Sequence, residues 1–125
     1  MTGVARIFFA TALLWGIAGL ILGNVMAASH DHGQMVTHAH TMVIGWISFA
    51  IFGLFYSHFP AIARSMLAKI HLVVAEASLL VLVAGLFTLY GGNPAGEPFA
   101  AIGAMVYAAS FVVFAVAALP VLKKA

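Results

Sequence analysis

The sequence has no cysteine, which excludes disulfides, thiolate-bound zinc, iron–sulfur clusters and covalently attached c-type haem. Charge is almost as scarce. Only 6% of the 125 residues are charged, against roughly 25% in chains whose surfaces face water, so a soluble domain is excluded. The small net charge of +2 carries no nucleic-acid signature. No internal repeat, low-complexity tract or linker interrupts the chain, so residues 1–125 read as a single transmembrane domain. What remains is apolar: 65% hydrophobic residues and a mean hydropathy of +1.16 make membrane lipid the solvent.

A bilayer core needs about 20 apolar residues per helix, and four stretches qualify, near 6–27, 36–59, 63–90 and 97–122. Between them lie a polar loop from Ser29 to Met35, a turn at His58-Phe59-Pro60, and a Gly/Pro loop from Gly91 to Pro98. Glycine adds backbone freedom and proline removes a donor, so each loop breaks the helix before it. The expected fold is all-α, an integral membrane four-helix bundle. Arg6 before an apolar run ending in Ala27-Ala28-Ser29 has the outline of a signal peptide, but the run is longer than a signal core and reads as an uncleaved helix.

All five basic residues, Arg6, Arg64, Lys69, Lys123 and Lys124, fall on one side of this topology. The positive-inside rule makes that side the cytoplasm, with both termini inside and the 29–35 and 91–98 loops outside. The expected location is a bacterial or archaeal inner membrane. Helix 1 carries Gly16, Gly19 and Gly23, and helix 2 carries Gly45 and Gly53. Such small-residue stripes serve either ordinary packing within the chain or contact with another copy.

The outer face gathers His30, Asp31, His32, His38 and His40. In Thr37-His38-Ala39-His40 the two imidazoles are two residues apart, which on a helix points them about 200° apart. They address opposite faces, unlike a zinc pair at four-residue spacing. This pattern suits a helix standing between two sites; the plainer alternative is two wet, unligated rings at the membrane interface.

His30-Asp31, followed by His38-Ala39-His40 and then by Gly45, Phe49, Gly53, Tyr56, His58 and Pro60, resembles the HD…HFH stretch and tenth transmembrane helix of haem–copper oxidase subunit I. Ala68-Lys69-Ile70-His71 resembles the opening of that family's eleventh helix, Ala101-Ile102-Gly103 the start of its twelfth, and Ala18 to Gly23 the end of its ninth. The HD-x6-HxH core is the specific part of the likeness.

The resemblance implies that His38 ligates a high-spin haem iron and His40 a low-spin haem iron on opposite sides of the helix. It also implies a non-redox metal beside His30 and Asp31, near the haem propionates. It implies a fold that is one arc of the subunit I architecture, whose three four-helix arcs stand about a pseudo-threefold axis. Three copies, a homotrimer, restore that architecture. The chain lacks the segments that supply the other low-spin ligand, the copper-ligating histidines and the cross-linked tyrosine, and Gly91-Gly92-Asn93-Pro94 stands where paired arginines are expected. No complete oxygen-reducing centre, quinone site or catalytic acid–base pair is readable in one chain.

Two functional classes follow. The first is a b-type haem protein for electron transfer or diatomic-gas sensing, with an unidentified redox partner. The second binds copper or zinc without haem through the outer cluster of His30, Asp31 and His32, where Met35 or Met42 favours copper(I). A scaffold whose metal site has decayed is the third possibility. Separately, Glu76 falls near the middle of helix 3, where a carboxylate costs on the order of 3 kcal/mol. It reads either as a buried proton site or as a neutral acid bonded to a hydroxyl such as Ser48 or Ser110. His71 is expected to be structural and close to the cytoplasmic edge, and the tryptophans and tyrosines to serve packing.

Overall fold

A computed structural model describes residues 1–123 as an all-helical chain. Four helices are long and apolar enough to cross a membrane: α1 (Gly3–Ser29), α2 (Met35–His58), α3 (Met66–Tyr90) and α4 (Glu97–Lys123). Each lies within a few residues of its expected bounds. The largest difference is before α3, where Pro60–Ala63 forms a separate helical turn. Pro60 opens that turn because its fixed φ suits a first helical position, and Ser65 starts α3 anew by accepting the Ala68 N–H at 3.1 Å. Lys124 lies outside the described residues, while Arg6, Arg64, Lys69 and Lys123 share one end of the bundle, here called the basic end. The other is the histidine end.

The bundle is built as two tight hairpins. In α1–α2 the contact is an exchange of glycines and tryptophans: the Trp46 ring lies over Gly16 and Trp15 lies over Gly45. Gly53 receives Phe9 and the backbone of Ala5, Gly19 receives Met42, and Gly23 receives His38. The Gly16, Gly19 and Gly23 stripe is therefore spent within the chain. Of the two readings of this stripe, packing within the chain is the one the contacts with α2 show. In α3–α4 the backbones themselves approach, with Gly85 and Gly96 facing each other and Gly103 set against Leu82. Lipid gives no hydrophobic drive for helix association, so close van der Waals contact at such small residues supplies it.

An aromatic core joins the hairpins. Phe8 of α1, Phe49, Phe52 and Tyr56 of α2, and His71 of α3 are buried, and Phe114 of α4 packs on them. Phe52 meets Phe114 at 4.6 Å and Phe111 at 5.8 Å between ring centroids, so one α2 ring bridges to α4. The Tyr107 hydroxyl adds a directional link by donating to the Ile44 carbonyl at 3.1 Å.

Candidate functional site

The histidine end is shaped by how α1 stops and α2 begins. α1 closes on His30 in the left-handed conformation, φ 57°, a cap position usually taken by glycine and sometimes by a short polar residue. Asp31 then accepts the Gly33 N–H at 2.9 Å, and its own N–H donates to Ser29 at 3.2 Å. These bonds turn the chain into α2. A polar chain holds the new helix in place: the Gln34 side-chain amide donates to the Phe87 carbonyl of α3 at 2.9 Å, buried Thr37 donates to Gln34 at 2.6 Å, and Thr41 donates to the Thr37 carbonyl at 2.8 Å.

His38 and His40 stand on this anchored turn, both half-buried. The His38 Nδ1 is 2.8 Å from the Gly19 carbonyl of α1, and its ring lies against Gly23. The His40 Nδ1 is 2.8 Å from the Val36 carbonyl, one turn back on its own helix. A carbonyl only accepts, so each Nδ1 carries a proton, and in the neutral form of either ring the lone pair is on Nε2. His40 also falls in register between Val36 and Ile44, which pack on the Leu82, Leu86 and Ala100 cluster of α3 and α4. One imidazole thus leans on α1 and the other follows the side of α2 that meets α3 and α4, in line with the expected divergence.

Immediately beyond His40, residues Thr41–Ile47 form a π-helix. Nothing in the amino-acid pattern announced it. Such segments bond i→i+5 in place of i→i+4, are rare, and are frequent at functional sites. Here it contains Gly45, under Trp15, and Ile44, whose carbonyl takes the Tyr107 bond.

The metal expectation for His30, Asp31 and His32 looks different in three dimensions. All three side chains are exposed; His30 ends α1 through its backbone conformation, and one oxygen of Asp31 accepts from Gly33 of the same turn. Among the described residues no three His, Asp or Glu side chains converge as a metal-holding group. Of the two sulfurs considered for copper(I), Met35 is exposed beside this loop, whereas Met42 packs on Gly19 inside the α1–α2 contact.

Glu76 is half-buried, and its partner is neither Ser48 nor Ser110. Those hydroxyls donate to their own helices, at Val43 and Tyr107. The Glu76 Oε1 instead lies 2.6 Å from Thr11 Oγ1 of α1, which is also 3.0 Å from the Ile7 carbonyl. A hydroxyl has one proton. Thr11 donates to the Glu76 carboxyl, sharing its proton with the Ile7 and Phe8 carbonyls at 3.0 and 3.2 Å; a protonated Glu76 would instead donate to Thr11 and leave that proton to Ile7. Sequence reasoning missed this pair because nothing in the spacing of Thr11 and Glu76 says that α1 passes α3 at that height.

His71 lies early in α3, toward the basic end, and its side chain is fully buried. The rings of Phe8, Phe52 and Phe114 surround it at 4.8, 4.6 and 5.2 Å, and its Nδ1 is 3.0 Å from the Tyr56 hydroxyl. Among the described residues its Nε2 has no partner. His71 packs within the aromatic core that joins the hairpins, at the end of α3 where the sequence places it.

No protein-family model, no curated protein and no solved structure matches this chain.

Proposed function

We propose that the chain is a haem-binding membrane protein, related to haem–copper oxidase subunit I, in which His38 and His40 serve as axial ligands on opposite sides of α2. The observation that carries this reading is the shared state of the two rings. Both give Nδ1–H to a backbone carbonyl and keep Nε2 bare, which is how ligating histidines are oriented and made more basic. The His30, Asp31 and His32 loop offers no comparable pre-set donors within one chain, so copper or zinc is the second choice.

Bound b-type haem supplies reversible one-electron exchange or a site for a diatomic gas. The chain's own part is to hold two neutral imidazoles, fix their tautomers and surround them with apolar helix. One HxH helix presents one ring to each side, so a second copy is needed to complete a six-coordinate haem. A homotrimer closed about a threefold axis gives every copy the same two neighbours. The basic end faces the cytoplasm by the positive-inside rule, in a bacterial or archaeal inner membrane.

Haem and metal analysis of the protein purified from its native membrane tests the reading, with His40→Ala and His71→Ala compared for haem per chain. Loss at His40 with retention at His71 supports it. Equal loss, or loss only at His71, overturns it. Native mass spectrometry should find about 39 kDa, three chains of 13.1 kDa; a monomer that keeps full haem refutes ligand sharing.

A further inference from the structure

An open groove of about 740 Å³ lies at the basic end, where the Pro60–Ala63 turn, the start of α3 and the last turns of α4 meet. That volume is within the range that holds a small amphiphile or headgroup. Phe59, Ile62, Leu67 and Val116 give it apolar walls, and Arg64 with Ser65 stands on it as the polar edge. Ser65 accepts the Ala68 N–H through its oxygen, so its hydroxyl proton remains available to an acceptor. Pro120 has no N–H, so the carbonyl of Val116, itself a wall residue, lacks its α-helical donor.

Charge decides the class of occupant. Arg64 is exposed, and Arg6, Lys69 and Lys123 share its end of the bundle. The three acids are elsewhere: Asp31 and Glu97 belong to the opposite end, and Glu76 is turned to Thr11 in mid-helix. A cationic rim over an apolar trough, at the depth where helices leave the bilayer, matches a lipid with an anionic headgroup. We infer that this groove binds one anionic glycerophospholipid from the surrounding membrane, with its phosphate at Arg64 and Ser65 and an acyl chain along Leu67 and Val116.

The protein equilibrated in mixed micelles of phosphatidylglycerol and phosphatidylcholine, then stripped of loose lipid, is read by native mass spectrometry. One phosphatidylglycerol per chain should survive in preference to phosphatidylcholine. Arg64→Gln should weaken that retention about fivefold, the effect of one basic residue at a membrane surface. Ala61→Trp, which places an indole in the groove from an exposed position and leaves the cation intact, should block it. Circular dichroism checks helicity, and if Arg64→Gln has lost it, Ala61→Trp alone decides. Equal retention of the two lipids, wild-type retention in a folded Ala61→Trp, or displacement of the lipid by millimolar inorganic phosphate would each overturn the inference.

Discussion

Adding one methyl group at Gly23 should loosen the geometry of His38 as the proposed haem ligand without touching the histidine itself. A Cβ on Gly23 would stand 2.9 Å from His38 Cε1 and 3.3 Å from Nδ1, whereas ordinary contact begins near 3.4 Å. The ring must therefore retreat by about 0.5 Å, and a retreat along the bond stretches the 2.8 Å link to the Gly19 carbonyl beyond the usual range of about 2.7–3.2 Å. Losing that bond costs about 1 kcal/mol, with a further ~1 kcal/mol or more for overpacking. Alanine's better helix propensity returns about 0.5–1 kcal/mol, so Gly23→Ala should destabilise the hairpin by only about 1 kcal/mol. Its effect on haem should be larger, because removing the partner that orients a ligating histidine typically lowers affinity by about 10–100-fold. Gly16→Ala is the control: its Cβ would press on the Trp46 ring at 3.3 Å, in the same helix contact but away from any histidine. Haem per chain and the reduced absorption bands are measured for both variants alongside thermal unfolding in detergent. Wild-type haem content in Gly23→Ala, or equal haem loss in Gly16→Ala, would refute the claim that the α1 glycine face positions His38.

Tyr56→Phe should lower stability by about 1–3 kcal/mol, because it strips the sole hydrogen bond from a fully buried imidazole; adding His71→Leu should recover part of that loss in the same unfolding assay, and an unchanged Tyr56→Phe would contradict the pairing. Glu76→Gln keeps an acceptor for Thr11 and should stay within about 0.5 kcal/mol of wild type, whereas Glu76→Leu should lose about 1 kcal/mol. Dicyclohexylcarbodiimide reports the protonation state: a carboxylate that accepts from Thr11 should resist labelling at neutral pH, and labelling of wild type but not of Glu76→Gln, read by mass, would show that the carboxyl is the donor instead. A reporter fused after Lys124 should read as cytoplasmic and one inserted in the 29–35 loop as external, with the reverse result overturning the orientation drawn from the basic residues.

The four spans and their breaks were legible because composition alone names the solvent, and a helix that satisfies its own backbone is the simplest structure lipid allows. The clustering of basic residues at one end also followed from the order of the spans, since antiparallel neighbours return every second helix end to the same side. His38 and His40 were legible as a diverging pair because their two-residue spacing fixes their angle on a helix. The stripe of glycines on α1 was visible too, but a stripe says only that something approaches closely. That the visitors are Trp46, Met42 and His38 of the same chain required the register of α2 against α1.

Three features belonged to tertiary structure alone. His71 looked marginal because it lies five residues into a helix that starts at the basic end, yet Phe8, Phe52 and Phe114 arrive from three other helices to bury it. Glu76 found Thr11 across α1, a partner that no local period could select. The π-helix at Thr41–Ile47 stretches the turn that follows the histidines, and no residue type in Thr41-Met42-Val43-Ile44-Gly45-Trp46-Ile47 demands it. Local pattern fixed what each residue does along its own helix, where geometry repeats every 3.6 residues. Which distant side chain meets it depends on the height and rotation of the neighbouring helix, and those are set by the packing of the whole bundle.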